Sequence, residues 1–534
     1  MSYGRIFLMF ISCFVSFVAL SACKKGAGNE GGTIDKNELV APPAELIQQL
    51  ESHAQLSCFT NAFKTFKLSR ETWDKGITIF APENQGSVCA PLSTQELKNH
   101  IVSEMLNKEQ LSQRTSLASV GGKPIPVRRW PGEAQGVRLN GIALNETSAT
   151  GGKFRLYVAE RPLFSLPGEV VVYSAPSSQR YIGNPSICIL SNGDYLASHD
   201  FFGAGITSGV SRIYRSINKG LSWTQIAELH GQQVSNLFVH SGKLYILGLD
   251  KTGQVVIRRS EDNGLSWTIP SNDQTGLLRT GLYQTASSAI VVHNGRIWKA
   301  VEQVTGAASL WAKAFEAMVI SAPIGSDLLK ASSWTSSTSV PYNSTWLSGR
   351  FEGMLEGGAL LGTDGVVRNV LRVHTNITGQ EYAALIKISA DGATSNFNPS
   401  TDFSLFPGGT KKFSIRYDQQ SGKYWSLVNS IAPDQWAFTW TSKIRNTLAL
   451  ISSTDLKDWT VNKIIVNHPD VEKHGFQYVD WDFDGNDIIM LIRSSFDDGK
   501  GTPNDYHDAN YLFFKRINAF SQYKDKNYPY GPLQ

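Results

Sequence analysis

From residue 168 to the C-terminus, short apolar runs alternate with polar positions and break at glycine turns. The phrases "LSNGDYL", "VHSGKLYIL", "VHNGRIWKAV", "GTDGVVRNVL", "DQQSGKYWSLV" and "DFDGNDIIMLI" centre on Gly193, Gly242, Gly295, Gly365, Gly422 and Gly485. Successive turns are 49, 53, 70, 57 and 63 residues apart. Hairpins recurring at roughly 40–50 residues predict a β-propeller. Six turns predict six blades of four antiparallel strands, with seven as the alternative if the 295–365 interval holds two. The last blade ends at "NYLFFKRI" and lacks an outer strand. "EVVVYSA", residues 169–175, is the strand predicted to complete it and close the ring, which hides edges that an open sheet would expose.

A second phrase repeats within this region. "SINKGLSWT" and "SEDNGLSWT" place Ser, Asn or Asp, Gly and Trp at the same offsets, at 216/218/220/223 and 260/262/264/267. Degenerate copies end at Trp334 and Trp459. The phrase resembles the Asp-box of sialidase-like propellers, which implies a hairpin between the third and fourth strands of a blade. Its chemistry is structural: the short polar side chain bonds turn amides, Gly takes a backbone shape costly to other residues, and Trp packs between blades.

The segment before the propeller patterns differently. "CFTNAFKTFKL" predicts a helix and "ITIFAPEN" a strand entering a Pro turn. Ser93 with Glu96 marks a helix start, and three strand-like runs follow. "TIFAPEN", "LKNHIV" and "LNGIALNETSATGGKFRLYVAERPL" resemble the boxes of a fasciclin domain over residues 42–166. That resemblance implies an adhesion or spacer module with a possible surface partner, and a structural His100. The expected fold class is therefore mainly β: a six-bladed propeller over 168–534 after an N-terminal α+β fasciclin-like domain.

The N-terminus carries Arg5, an apolar run over residues 6–20 and "LSAC" before Lys24. This reads as a secretory signal over residues 1–22, and "LSAC" resembles the bacterial lipobox. Cleavage would leave Cys23 as a lipidated residue, followed by a flexible tether over 23–41. The implied location is the bacterial cell envelope, lipid-anchored, with the outer membrane favoured. Cys58 and Cys89 are free to pair in an exported protein, and pairing stays open at this level. Cys188 in "SICIL" reads as a buried small hydrophobe. A net charge of +4 over 534 residues, with no basic stripe, argues against nucleic acid as a partner. No Cys/His spacing suggests zinc, so neither a metal nor another cofactor is expected.

Propeller topology then sorts the polar residues. The start of each innermost strand and the end of the second strand converge on one mouth of the channel. Asn184 and His199 come from the first blade and Gln284 from the third. Glu356, Arg372 and His374 come from the fourth, and Lys412 from the fifth. Gln477, Tyr478, Arg493 and His507 come from the last. Cations, acids, amides and an aromatic together suit an acidic oligosaccharide or polysaccharide.

Sialidases would supply an Arg at the start of blade one, where this chain reads "YIGNPSI"; that loss argues against plain sialidase activity. "NPSICILSNGDYLASHDFFG", "FPGGTKKFSIRYD", "RNTLALISSTDLKDWTV", "KHGFQYVDWDFDGNDII" and "HDANYLFFKRI" resemble bacterial propeller enzymes that act on rhamnose capping glucuronic acid in plant arabinogalactans. The resemblance implies an exo-acting lyase or glycoside hydrolase with a His-centred site. The expected catalytic residues are His199, Tyr478 and Glu356. Asn184, Gln284, Arg372, His374, Lys412, Gln477, Arg493 and His507 are expected to bind substrate. A non-catalytic glycan-binding or adhesion lipoprotein is the alternative.

Overall fold

The computed structural model describes residues 35–85, 89, 92–129, 137–206, 209–437, 440–498 and 501–531. The signal segment, Cys23 and most of the tether lie outside the described residues. The tether's end does not: Leu39–Val40 pairs with Leu68–Ser69, and Arg70 bonds Glu38. Strand pairing thus includes residues before 42.

Residues 42–166 form a seven-stranded sheet with short helices packed on it. Ile77–Pro82 pairs in parallel with Phe154–Ala159. Ser93 and Glu96 make both halves of a capping box on the helix Thr94–Asn99. His100 is buried; its Nδ1 faces the Glu96 carbonyl at 2.8 Å and its Nε2 accepts from Leu163 N–H at 2.9 Å. It ties a helix to the segment after the last strand. Cys58 and Cys89 form a disulfide, and Cys188 is free and buried.

The remainder is a six-bladed propeller. The blade sheets run Tyr181–His230, Gln233–Arg279, Tyr283–Ser336, Phe351–Leu405, Ile415–Asn467 and Gly475–Ile517. Each is antiparallel, and consecutive blades use consecutive strands. In the sixth blade Glu169–Tyr173 adds outside Tyr511–Ile517, with Glu169 opposite Phe514. The ring is closed by a strand from before the first blade, which completes the sixth as a four-stranded sheet. The six hairpin glycines all have positive φ, between 63° and 87°, which glycine adopts without a Cβ clash. The 295–365 interval runs from the hairpin of the third blade to that of the fourth, with no further blade between them.

The Asp-box phrases behave as local staples. Ser260 Oγ accepts from Gly264 N–H at 2.8 Å, Asp262 Oδ1 from Ser266 N–H at 2.9 Å, and Trp267 Nε1 donates to the Gly264 carbonyl at 2.9 Å. The 216–223 copy repeats these bonds. In the degenerate copy Leu456 occupies the glycine place with φ 67°, a strained position for a branched side chain. Trp223 packs on Phe514 of the sixth blade, which couples the ring's first and last members.

Candidate active site

Three of the six innermost strands carry a β-bulge: Gln233/Asn236, Leu355/Gly358 and Gln477/Asp480. Each bulge holds one non-glycine residue at positive φ: Val234 at 48°, Glu356 at 56° and Tyr478 at 53°. A bulge breaks the two-residue alternation and re-aims a side chain, at a cost of order 1–3 kcal/mol for the strained residue. Glu356 and Tyr478 come from different blades, yet the Tyr478 hydroxyl donates to Glu356 Oε1 at 2.8 Å.

Guanidinium groups surround this pair. Arg372, opposite Leu355, brings Nη1 to 2.9 Å from Glu356 Oε2. The approach is an ion pair without hydrogen-bond alignment, so Glu356 Oε2 and Arg372 Nη1 and Nε have no bonded partner. Arg493, opposite Gln477, lies 4.6 Å over the Tyr478 ring and 4.5 Å over Phe202. It donates to the His507 carbonyl at 2.8 Å, and its Nε is also unpartnered. Arg445 lies 5.7 Å over Tyr478 and donates to Gln477 Oε1. All three arginines are buried. Buried donors without acceptors are costly, so Arg372 and Arg493 leave this cluster with unmet hydrogen-bonding demand.

The sequence sieve missed Arg445. It took only first and second strands, whereas Arg445 follows a short turn, Thr441–Lys443, that leads into a third strand.

Electrostatics follow from burial and these cations. Burial first, then the Glu356 charge, pushes the Tyr478 phenol up, while the three arginines oppose it. The resting phenol is therefore protonated. His374, 3.0 Å from Arg372 Nη2, is held well below the usual imidazole range by burial and then by Arg372. It is a neutral acceptor for that guanidinium. Burial and Arg493 lower His507 likewise.

Lys412 is buried beside the pair and donates to the Val479 carbonyl at 2.8 Å; burial lowers it to about 8. Glu302, fully buried, is raised to about 8 by burial and, less strongly, by the Glu356 charge, while the Gly357 N–H bond and Lys299 oppose the shift. Glu302 Oε1 accepts from Gly357 N–H at 2.9 Å and so fixes the Glu356 bulge.

The remaining expected residues divide. Gln477 joins the site as a bracket, its Nε2 donating to the Tyr506 and His507 carbonyls. Asn184 serves Asp200: its backbone N–H donates to Asp200 Oδ1 at 2.5 Å, while Val234 N–H donates to Oδ2 at 2.6 Å. A Cβ on Gly183 would sit 1.7 Å from Asp200 Oδ1, so a larger residue there displaces Asp200.

Gln284 pairs with Glu302, and its amide donates to the Thr285 carbonyl, away from the arginines. His199 is not brought together with the Tyr478–Glu356 pair. It is fully buried, with Nδ1 at 2.8 Å from the Asp200 carbonyl and its ring against Phe201 and Tyr214. Burial lowers it to about 4. Asp200, not His199, feels the Arg493 charge.

The order of strands defines a six-bladed β-propeller. No family model and no curated protein matches the chain. Solved structures that resemble it include an α-L-arabinanase of Penicillium chrysogenum bound to arabinobiose. That one has 14% identity over 67% of this chain and 99% of that one, TM-score 0.43. The α-L-arabinofuranosidase arb93a of Fusarium graminearum has 11% identity, covering 66% and 98%, TM-score 0.45. Trypanosoma rangeli sialidase with sialic acid has 14% identity, covering 72% and 58%, TM-score 0.40.

Proposed function

We propose that this protein is a carbohydrate-active enzyme that cleaves a terminal sugar from an adjoining uronic acid, with rhamnose on glucuronate as the best candidate. The observation that carries this reading is the Tyr478–Glu356 bond set among three buried arginines, two of which, Arg372 and Arg493, have unsatisfied donors. A uronate carboxylate would take those donors, and guanidinium forks match its geometry. The rhamnose assignment rests on the phrase resemblance in blades one, five and six.

The chemistry proposed is elimination. Arg372, Arg445 and Arg493 neutralise the carboxylate, which acidifies the adjacent C5 proton. The Tyr478 oxygen takes that proton as its own passes to Glu356. The electron pair forms the C4–C5 double bond and the C4–O4 bond breaks. Tyr478 then protonates O4 of the departing rhamnose, and Glu356 returns its proton to the phenol. Glu302 stays protonated near neutrality and holds the bulge in place.

We further propose that the mature chain acts at the bacterial cell envelope through lipid on Cys23, with residues 42–166 as a fasciclin-like spacer or adhesion module.

Incubation with rhamnose-capped arabinogalactan tests the reading. Free rhamnose together with an ultraviolet-absorbing unsaturated uronate is the expected result. Rhamnose without the chromophore assigns the same site to hydrolysis. Binding with neither product assigns it to a glycan receptor and removes catalysis.

A further inference from the structure

We propose that the cavity beside the arginine clamp is a second sugar subsite, holding the neutral pyranose to which the uronate is attached. The inference rests on the functional reading above. The cavity measures about 500 Å³, in the usual range for small-molecule sites. Trp440, Ile444, Val471 and Tyr506 give it an apolar wall. Trp440 is 57% exposed, so its indole is open to a ligand in this cavity.

Arg445 connects this wall to the chemistry. Its guanidinium lies 5.7 Å from the Tyr478 ring centroid and 5.6 Å from that of Tyr506, so one side chain adjoins both the clamp and the cavity wall. A carboxylate held at Arg445 beside Tyr478 brings the neighbouring sugar within reach of Tyr506. Charge decides what that sugar is. Lys443 and Lys473 on the rim are balanced by Glu472 and Asp505, unlike the clamp with its excess of guanidinium. An apolar wall with a balanced polar rim suits the C–H face and hydroxyls of an uncharged sugar ring.

The wall is held in shape without ligand. Lys443 N–H bonds the Trp440 carbonyl at 3.0 Å and Ile444 N–H the Thr441 carbonyl at 3.1 Å. Buried Lys411, paired with Glu381, lies 3.4 Å from the same Thr441 carbonyl. Tyr530, near the C-terminus, stacks edge-on against Trp436 at 5.1 Å and bonds Glu381 at 2.8 Å. A pre-formed wall loses little entropy on binding.

The test uses the full chain carrying Tyr478→Phe, so that ligands are not consumed. Calorimetry compares rhamnosyl-glucuronic acid with the trisaccharide that adds a galactose. The trisaccharide should bind about tenfold more tightly. Trp440→Ala should abolish that advantage while leaving disaccharide affinity unchanged, and Trp440→Phe should retain most of it. Equal affinities in the parent protein, or an undiminished advantage in Trp440→Ala, would overturn the subsite. Binding of neither sugar overturns the functional reading, and the subsite with it.

Discussion

Replacing Tyr478 by Phe removes one oxygen from the centre of the site and little else. The ring stays, and with it the contacts to Arg493 at 4.6 Å and Arg445 at 5.7 Å. The backbone strain at φ 53° is the same for Phe. What disappears is the 2.8 Å bond to Glu356. A hydrogen bond to a charged group contributes about 1.5–3 kcal/mol. Removing a strained, partly satisfied polar group from a functional site often returns stability. The net change in folding stability should therefore stay within about 2 kcal/mol.

Catalysis should respond far more strongly. A positioned proton-transfer group supplies about 10²–10⁴-fold, or ~2.7–5.4 kcal/mol of barrier. Tyr478→Phe should lose at least ~100-fold in turnover, while substrate affinity changes only slightly because the clamp is intact. Rhamnose release under saturating substrate measures the first and calorimetry the second. Turnover within tenfold of the parent, in a protein with an unchanged melting transition, would refute the assignment of Tyr478 to proton transfer.

Arg493→Met keeps bulk against Phe202 and Tyr478 but removes a charge. It should weaken binding of the acidic disaccharide by about 10–100-fold, measured by calorimetry. His199→Ala should lower the melting temperature through a buried cavity, yet keep turnover of the folded protein within tenfold of the parent; a hundredfold loss would return His199 to the chemistry.

Two buried groups oppose each other between about pH 4.5 and 6.5, so stability should be greatest there and decline as pH rises from about 6.5 towards 8. Folding holds His199 near 4, below its unfolded value of about 6.5, so its contribution is complete above 6.5 and is lost as pH falls towards 4. Glu302 is raised to about 8, above its unfolded value, so its contribution is lost as pH rises from about 4.5 towards 8. Chemical denaturation across pH 4–9 measures both, and Glu302→Gln should flatten the alkaline limb.

The blade count was legible in the chain because a hairpin turn is a local event. Each of the six turns needs a residue at positive φ, and glycine marks all six. The Asp-box staples are equally local, since Ser260, Asp262, Gly264 and Trp267 bond only within their own eight residues. Even ring closure by residues 169–175 followed from counting strands. Ser93 and Glu96 were readable for the same reason, whereas the structural reading of His100, which bonds Leu163 far along the chain, came from the fasciclin resemblance.

The site was only half legible. Period-two alternation puts His199 and Asp200 on opposite faces of a strand, but cannot say which face meets the channel; neighbouring Val234 and Asn184 decide that by bonding Asp200. Glu356 and Tyr478 were selected from their places on strands. Their meeting depends on two bulges, at Leu355/Gly358 and Gln477/Asp480, that no local pattern announced. Arg445 reaches the clamp from the foot of a third strand, on a loop whose path is set by packing of Trp436 and Tyr530 far along the chain. Local hydrogen bonds wrote the scaffold into the sequence. The convergence of side chains 122 residues apart belonged to the tertiary structure alone.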